Sequence, residues 1–403
     1  MTSYQKHIHV QQQAHIIQSD AEALQIAAQL ATRFKEKAIQ RDAERILPFE
    51  EIEAYSQSGL WAITVPKAFG GAEVSSYTVA QVIALISGVD GSIGQIPQNH
   101  FYALEVLRNT GTQTQKQKLY AEVLKGARFG NALAEFKTKN STQKHTLLRK
   151  TENGYEISGE KFYCTGSLFA HRIPTLVKDE NNHEFLVFVP RDSKGLEVTD
   201  DWSGFGQKTT GSGSVKFHQV AVSADEIIPF DSAFTSPTLV GPFAQIMHAA
   251  IETGIARAAF EETLLRVRQA RPWIDAHVDA ASDDPLTKFE LGRLIADVRA
   301  SEVLLKQAAR SIDAAKPAPT EENIAKASLD VAKVRAHSTE TALKVSSKLI
   351  ELAGSRGSQR EDGLDRFWRN ARVHTLHDAS RWKYYFIANY AVNAVLPPRR
   401  GTL

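Results

Sequence analysis

The run Tyr155-Glu156-Ile157-Ser158-Gly159-Glu160-Lys161-Phe162-Tyr163-Cys164 decides the fold. It has the composition of strands, in a chain whose apolar residues elsewhere recur at helical spacing. Ser158-Gly159 reads as a turn between two short runs. Phe185-Leu186-Val187-Phe188-Val189 is another such run, closed by Pro190, and Val215-Lys216-Phe217-His218-Gln219-Val220 alternates before its last pair. Short runs at this spacing, parted by Gly, Asn and Asp, predict an antiparallel barrel or sandwich over about 129–229.

On either side the period is helical. Ala21, Leu24, Ala27, Ala28, Ala31 and Phe34 form an amphipathic stripe. The stripe is followed by a break at Val65-Pro66-Lys67-Ala68-Phe69-Gly70-Gly71, and helical spacing resumes over 77–87 and 103–124. Gly88, Gly91 and Gly94 are placed in a helix-to-helix turn. Downstream, 249–268 reads as a helix, and 285–314 as a second with Asp284 as N-cap and Pro285 at its first position. Thr320 before Glu321-Glu322 caps a third, whose stripe runs Ile324, Ser328, Val331, Ser338, Ala342, Val345, Leu349, Leu352 and ends at Gly354. A last helix is expected over 375–395, stopped by Pro397-Pro398. Long helices with small residues on the stripe predict a close-packed bundle. The expected class is α+β: a polar tail 1–20, a helical domain 21–128, a β domain 129–235 and a helical bundle 236–403.

The 403 residues leave room for two or three domains. Lys plus Arg is 48 against 46 for Asp plus Glu, which argues against a nucleic-acid partner. The single cysteine, Cys164, excludes an intramolecular disulfide and a Cys-based zinc site, and fits a reducing cytoplasm. No run of 18 or more apolar residues is present, so no membrane span is expected. Neither G-x-G-x-x-G after a strand nor G-x-x-x-x-G-K-[ST] occurs, so the chain shows no site for NAD(P)H or a nucleoside triphosphate. H-E-x-x-H is missing, and His7, His9 and His15 read as a solvated tail; no metal is expected.

Several motifs, in order, resemble the acyl-CoA dehydrogenase superfamily of flavoproteins over nearly the whole chain. They are Gly59-Leu60-Trp61-Ala62-Ile63-Thr64-Val65-Pro66 with Phe69-Gly70-Gly71, Ala132-Leu133-Ala134-Glu135, Gly159 through Ser167, and Gly254-Ile255-Ala256-Arg257-Ala258-Ala259. Arg366-Phe367-Trp368-Arg369-Asn370-Ala371-Arg372-Val373-His374-Thr375-Leu376-His377-Asp378 is similar to flavin-dependent monooxygenases of the dibenzothiophene monooxygenase type and to the sulfur-acquisition oxidoreductases related to them. Asn131 and Gln95-Ile96-Pro97-Gln98-Asn99-His100 point to the same group. The resemblance implies a central antiparallel β-barrel and a C-terminal four-helix bundle. It also implies a homotetramer, a small organosulfur substrate, O₂, and reduced FMN with flavin C4a-peroxide chemistry. A separate NAD(P)H:flavin reductase would supply the reduced flavin.

Two departures from the dehydrogenases favour this branch. Asp378 stands where many of them carry a catalytic Glu, and is one methylene shorter, so a base loses reach. Their Arg-x-x-Phe-Gly element, which meets FAD in a neighbouring subunit, is here Arg268-Gln269-Ala270-Arg271-Pro272-Trp273. FMN has one terminal phosphate, for which Arg268 or Arg271 is the expected cation. An FAD-dependent acyl-CoA dehydrogenase is the alternative, and a non-enzymatic scaffold that lost flavin a second one.

The resemblance also implies roles for residues. His377 is the expected proton-handling group, since an ordinary histidine titrates at ~6.5; His100 and Asn131 join it as catalytic candidates. Thr165 is expected at the flavin edge, or is only a good strand former. Tyr163 and Trp368, with Phe101, would shield the flavin. Ser214 would meet phosphate through its hydroxyl and backbone N–H, or only turn a hairpin. Gln95, Asn99 and His374 are expected at the substrate; the dibenzothiophene-type enzymes are expected to carry His and Tyr where Gln95 and Asn99 stand. Asp378 orients the neighbourhood of His377 or caps a helix.

Overall fold

The computed structural model describes residues 13–135, 145–152 and 154–403. Helix α1 (Asp20–Lys35) starts where the Ser19 hydroxyl accepts from Glu22 N at 3.2 Å; it buries Ala27, Ala31 and Phe34 of the expected stripe together with Ala23, while Ala21 and Ala28 are exposed. The tail expectation needs correction in its described part: Ala14 and Ile17 are buried, and His15 N donates to Gln57 O at 3.0 Å. His7 and His9 lie outside the described residues. Helices α2 (Ala38–Glu44) and α3 (Phe49–Gln57) lead to the Pro66–Gly71 break. Beyond it come α4 (Ser76–Val89), α5 (Gly91–Thr110) and α6 (Gln113–Leu124). The expected glycine turn shrinks to Asp90, whose Oδ1 accepts from Ser92 N and Ile93 N at 3.0 and 3.1 Å. That cap and near-complete burial carry α5 through Gly91, Gly94 and Pro97, which individually disfavour a helix.

The middle of the chain forms strands β1 (Leu147–Thr151), β2 (Gly154–Lys161), β3 (Arg172–Lys178), β4 (Glu184–Pro190), β5 (Leu196–Val198), β6 (Val215–Val222) and β7 (Ile227–Pro229). Their order is β5-β6-β2-β1-β3-β4-β7. Ser158-Gly159 is not a turn. It is a bulge inside β2, where pairing with β6 shifts between Ile157 and Gly159. Gly159 has φ +149, and a Cβ on it would lie 2.6 Å from Thr146 Cα. The barrel expectation is also corrected. β1 meets β3 only through one parallel pair, Leu147↔Lys178, and β5 and β7 are the sheet edges. Among the described residues the sheet is therefore mixed and open. Ala132–Glu135 forms no strand; Ala132 makes an isolated bridge to Thr175.

The rest is helical: α7 (Ser232–Thr235), α8 (Val240–Gln269), α9 (Pro285–Ala315), α10 (Glu321–Leu352), α11 (Asp365–His374) and α12 (Ser380–Asn393). The expected caps form: Asp284 accepts from Leu286 N at 2.9 Å and Thr320 from Asn323 N at 3.2 Å. Helices α8, α9 and α10 pack on one another, α12 on α10, and α11 on both α8 and α10. Helix α4 crosses α8 at Gly254, where a Cβ would collide with the carbonyl oxygen of Ala84. The single helix expected over 375–395 is corrected: α11 ends at His374, 375–379 is non-helical, and α12 begins at Ser380. No helix among the described residues is long and apolar enough to cross a membrane.

Candidate active site

The joint 375–379 lifts His377 and Asp378 out of helical register, next to a buried polar cluster. At its centre is Glu252 of α8, fully buried. It is ion-paired with Arg335 of α10 and accepts from Ser338 Oγ and Thr339 Oγ1, each at 2.9 Å. One turn apart on α10, these three donors face α8 together. His374 Nδ1 lies 3.0 Å from Glu252 Oε1 and donates to it. The His374 Nε2 lone pair then accepts from His248 Nδ1 at 3.0 Å. His248 sits four residues before Glu252, on the same face of α8. Desolvation first, then neighbouring charge, holds both imidazoles well below the ordinary histidine range, so both are neutral.

His377 Nδ1 is 2.7 Å from the carbonyl oxygen of His374. A carbonyl only accepts, so Nδ1 carries the hydrogen and Nε2 the lone pair. Gln95 Nε2 of α5 lies 3.3 Å from that nitrogen and donates to it. The His377 ring is accessible, yet desolvation is the first cause of its lowered pKa, so it lines a cleft. The hydrogen bond to His374 partly offsets that lowering, and Arg335 adds to it. Asp378 Oδ2 lies 3.8 Å from both Arg335 Nη2 and Lys383 Nζ. Burial brings Lys383 down to about 8.

The other wall comes from loops of the sheet. Thr165 Oγ1, Ser212 Oγ and Thr210 Oγ1 form a hydroxyl ladder with 2.7 Å steps. Asn131 Nδ2 donates to Tyr163 O at 3.1 Å, while Asn131 Oδ1 is buried without a partner. Tyr163 holds φ +58 and Gln207 φ +47, strained values of the kind that gather at ligand sites. These loops abut α5 and α11: Gln207 Nε2 donates to Gly91 O at 3.1 Å, and Gln207 N to Asn370 Oδ1 at 2.7 Å. A Cβ on Gly166 would lie 3.2 Å from Ile96, the residue after Gln95. Tyr163 is 46% exposed and packs edge-on to Trp202, while Phe205 and Trp368 stack at 6.1 Å and are also exposed. These rings present flat apolar faces beside a polar ladder.

The structure thus gathers Gln95, Asn131, Tyr163, Thr165, Trp368, His374 and His377 around α5 and α11. Asn99 is half-buried, one turn beyond Gln95. The remaining candidates lie elsewhere. His100 is a core residue: Nε2 donates to Trp61 O at 2.8 Å, Nδ1 accepts from Phe129 N at 3.0 Å, and burial brings its pKa down to about 3. Ser214 has both donors committed to Asp201, at 2.7 and 2.6 Å, which leaves neither for a phosphate. Arg268, in the last turn of α8 and about 30 Å from His248 at 1.5 Å per residue, and Arg271, just past the helix end, are both exposed. They do not reach this chain's own cleft. Sequence reading misses His248, Glu252, Arg335 and Lys383. The only local signal is the i,i+4 pair His248–Glu252, and its partners lie some 80 residues or more away in the chain.

Comparison with known proteins bears on this site. The acyl-CoA dehydrogenase N-terminal domain model matches residues 21–127, and the C-terminal domain model 246–382. The chain is 30% identical to a dibenzothiophene monooxygenase of Mycolicibacterium goodii, over 93% of this chain and 94% of that protein. It is 28% identical to SfnC of Pseudomonas putida, a probable FMNH₂-dependent monooxygenase, over 93% and 96%. The FMN-bound structure of TdsC from Paenibacillus sp. A11-2 superposes with a TM-score of 0.90 at 30% identity, over 94% of this chain and all of that one.

Proposed function

This chain belongs to the acyl-CoA dehydrogenase family, and from that premise we infer that it is a reduced-FMN-dependent monooxygenase acting on an organosulfur compound. Its electrons come from a separate flavin reductase, because the chain carries no dinucleotide-binding motif of its own. The observation that carries the reading is His377, a neutral imidazole whose Nε2 lone pair faces the cleft. Asp378, which stands where many dehydrogenases carry their base, is turned toward Arg335 and Lys383. That orientation disfavours the FAD-dependent dehydrogenase.

The residues present fit FMN. Asn131 Oδ1 is an orphaned buried acceptor beside the hydroxyls of Thr165, Ser212 and Thr210, and the exposed rings offer flat apolar faces. Asn131 and Thr165 would hold the ring edge. Tyr163, Trp202, Phe205 and Trp368 would cover it, and Arg268 or Arg271 of a second chain would take the phosphate. Bound reduced FMN supplies activation of O₂ for transfer of one oxygen atom to sulfur. His377 Nε2 accepts or returns a proton, with Nδ1 anchored on His374 so that the ring stays aimed. Gln95 donates to the same nitrogen and holds it in the cleft. The aromatic group excludes water from the oxygen-transfer step.

The substrate is small, and the assembly is a homotetramer. The distance of Arg268 from its own cleft supports the tetramer, as do exposed Leu286, Phe289 and Val303 on α9 and Trp382, Tyr385 and Val392 on α12. A lone buried cysteine supports a cytoplasmic setting. We keep the division 21–128, 129–235 and 236–403, which follows the change from helices to strands and back.

The test supplies FMN, a flavin reductase, NADH and ¹⁸O₂ together with a panel of sulfides, sulfones and sulfinates. One ¹⁸O atom in the product is expected. Acyl-CoA oxidation with bound FAD, and no labelled sulfur product, would overturn the reading.

A further inference from the structure

His248 of α8, His374 of α11 and His377 of the joint bring their imidazoles into a triangle, with ring centroids 5.1, 4.9 and 4.9 Å apart. One ring nitrogen from each lies within 4.8 Å of the others. We propose that this triangle is a binding site for a divalent zinc ion, which takes the His377 Nε2 lone pair that the proton handling proposed above requires and so excludes turnover while it is bound. The absence of H-E-x-x-H and of paired cysteines points away from a metal, but the triangle is built from two distant helices that no short motif could reveal.

Three features carry the proposal. The first is orientation. Metal-ligating histidines characteristically donate their second ring N–H to a carboxylate or a backbone carbonyl. His374 donates from Nδ1 to Glu252, and His377 from Nδ1 to the carbonyl of His374, so each presents Nε2 as a lone pair. The second is spacing. His248 Nδ1 and His374 Nε2 are 3.0 Å apart. Two nitrogens at ~2.0–2.1 Å from a tetrahedral ion stand about 3.3 Å apart. Opening the pair by a few tenths of an ångström and moving the His248 proton to Nε2 makes room. His377, on a non-helical joint and accessible, closes the remaining gap and provides the way in. The third is the open side. Gln95 Oε1 is buried without a partner, on the carboxamide whose nitrogen lies 3.3 Å from His377 Nε2. A flip of that carboxamide presents an oxygen as fourth ligand.

The surroundings agree in charge and chemistry. Glu252 and Asp378 balance Arg335 and Lys383, so no net positive charge opposes a cation. A set of imidazole nitrogens selects zinc-class ions over magnesium or calcium, which take oxygen.

Zn²⁺ titration of the chelator-treated full chain by calorimetry, without flavin, tests the site independently of the monooxygenase reading. One ion per chain is expected, and Co²⁺ in its place is expected to give the intense visible bands of a tetrahedral site. His248→Phe and His377→Ala are each expected to weaken Zn²⁺ binding by about 100-fold or more. His377→Ala alters only the accessible joint, so its result stands even where His248→Phe loosens the core. A triple His7, His9 and His15 to Ala variant is expected to bind as the parent does. No saturable binding overturns the proposal. So does unchanged binding in either site variant, or loss of binding in the tail variant.

Discussion

His377 donates from Nδ1 to the main-chain oxygen of His374 at 2.7 Å, and that one bond fixes which ring nitrogen is free for chemistry. The ring proposed above to handle the proton is therefore anchored to the end of α11 itself. A histidine without that anchor would exchange tautomers and present its lone pair on either side.

Replacing His377 with Ala is expected to leave FMN binding intact, because the flavin contacts proposed above lie on other elements. Oxygenated product is expected to fall about 10²-fold or more, the scale of a lost general acid or base. Hydrogen peroxide release should rise. The ratio of product to peroxide, measured with excess reductase, checks this; an unchanged ratio makes His377 structural.

His374→Ala should show itself mainly in stability. It removes one of the donors to a fully buried carboxylate and leaves His248 without an acceptor. A loss of about 1–3 kcal/mol is expected. Urea unfolding should show a lower midpoint with an unchanged slope. Stability equal to that of the parent would contradict the hydrogen-bond assignment.

His100 makes stability depend on pH. Its pKa is about 3 in the folded chain against an ordinary 6.5, so below 6.5 the unfolded chain takes up a proton that the folded chain refuses. The contribution is complete above 6.5 and is lost as the pH falls toward 3. At about 1.4 kcal/mol per pH unit, the full span is worth up to about 5 kcal/mol. His100→Gln should flatten the unfolding free energy between pH 6 and 4 relative to the parent; an identical slope would refute the assignment.

Arg268→Ala should weaken FMN binding about 10- to 100-fold through loss of a charge-assisted phosphate contact from a second chain. Light scattering should give a tetramer for parent and variant alike. A monomer that binds FMN as tightly as the assembly would rule out the shared site.

Much of the fold is legible in local pattern. Asp284 and Thr320 act as the expected caps, and Ala27, Ala31 and Phe34 of the expected stripe are buried. Asp90, by contrast, carries α5 through two glycines and a proline, because burial and a strong cap outweigh propensity. Ser158-Gly159 has turn chemistry, yet its glycine serves close approach to Thr146 within a strand. Half of the candidate site was within reach because Gln95, Asn131, Thr165 and His377 lie in motifs. Glu252 and Arg335 were not, because a buried ion pair between two long helices leaves no spacing to read. His100 and Ser214 have the right chemistry, but their hydrogen bonds are already used by backbone and by Asp201.

The interruption between α11 and α12 bears on how such an enzyme diversifies. Residues 375–379 carry His377, the side chain proposed to move the proton, while contributing no helical packing of their own, and the helices that flank them carry the bundle. Thr375 is buried and Asp378 is tied into the buried cluster, but at exposed Leu376 and half-buried Ala379 substitutions change what the cleft recognises without reopening the fold, so substrate range can drift at these positions at little structural risk. A library confined to Leu376, Ala379 and their neighbours on α5 would therefore sample new specificities among variants that still assemble.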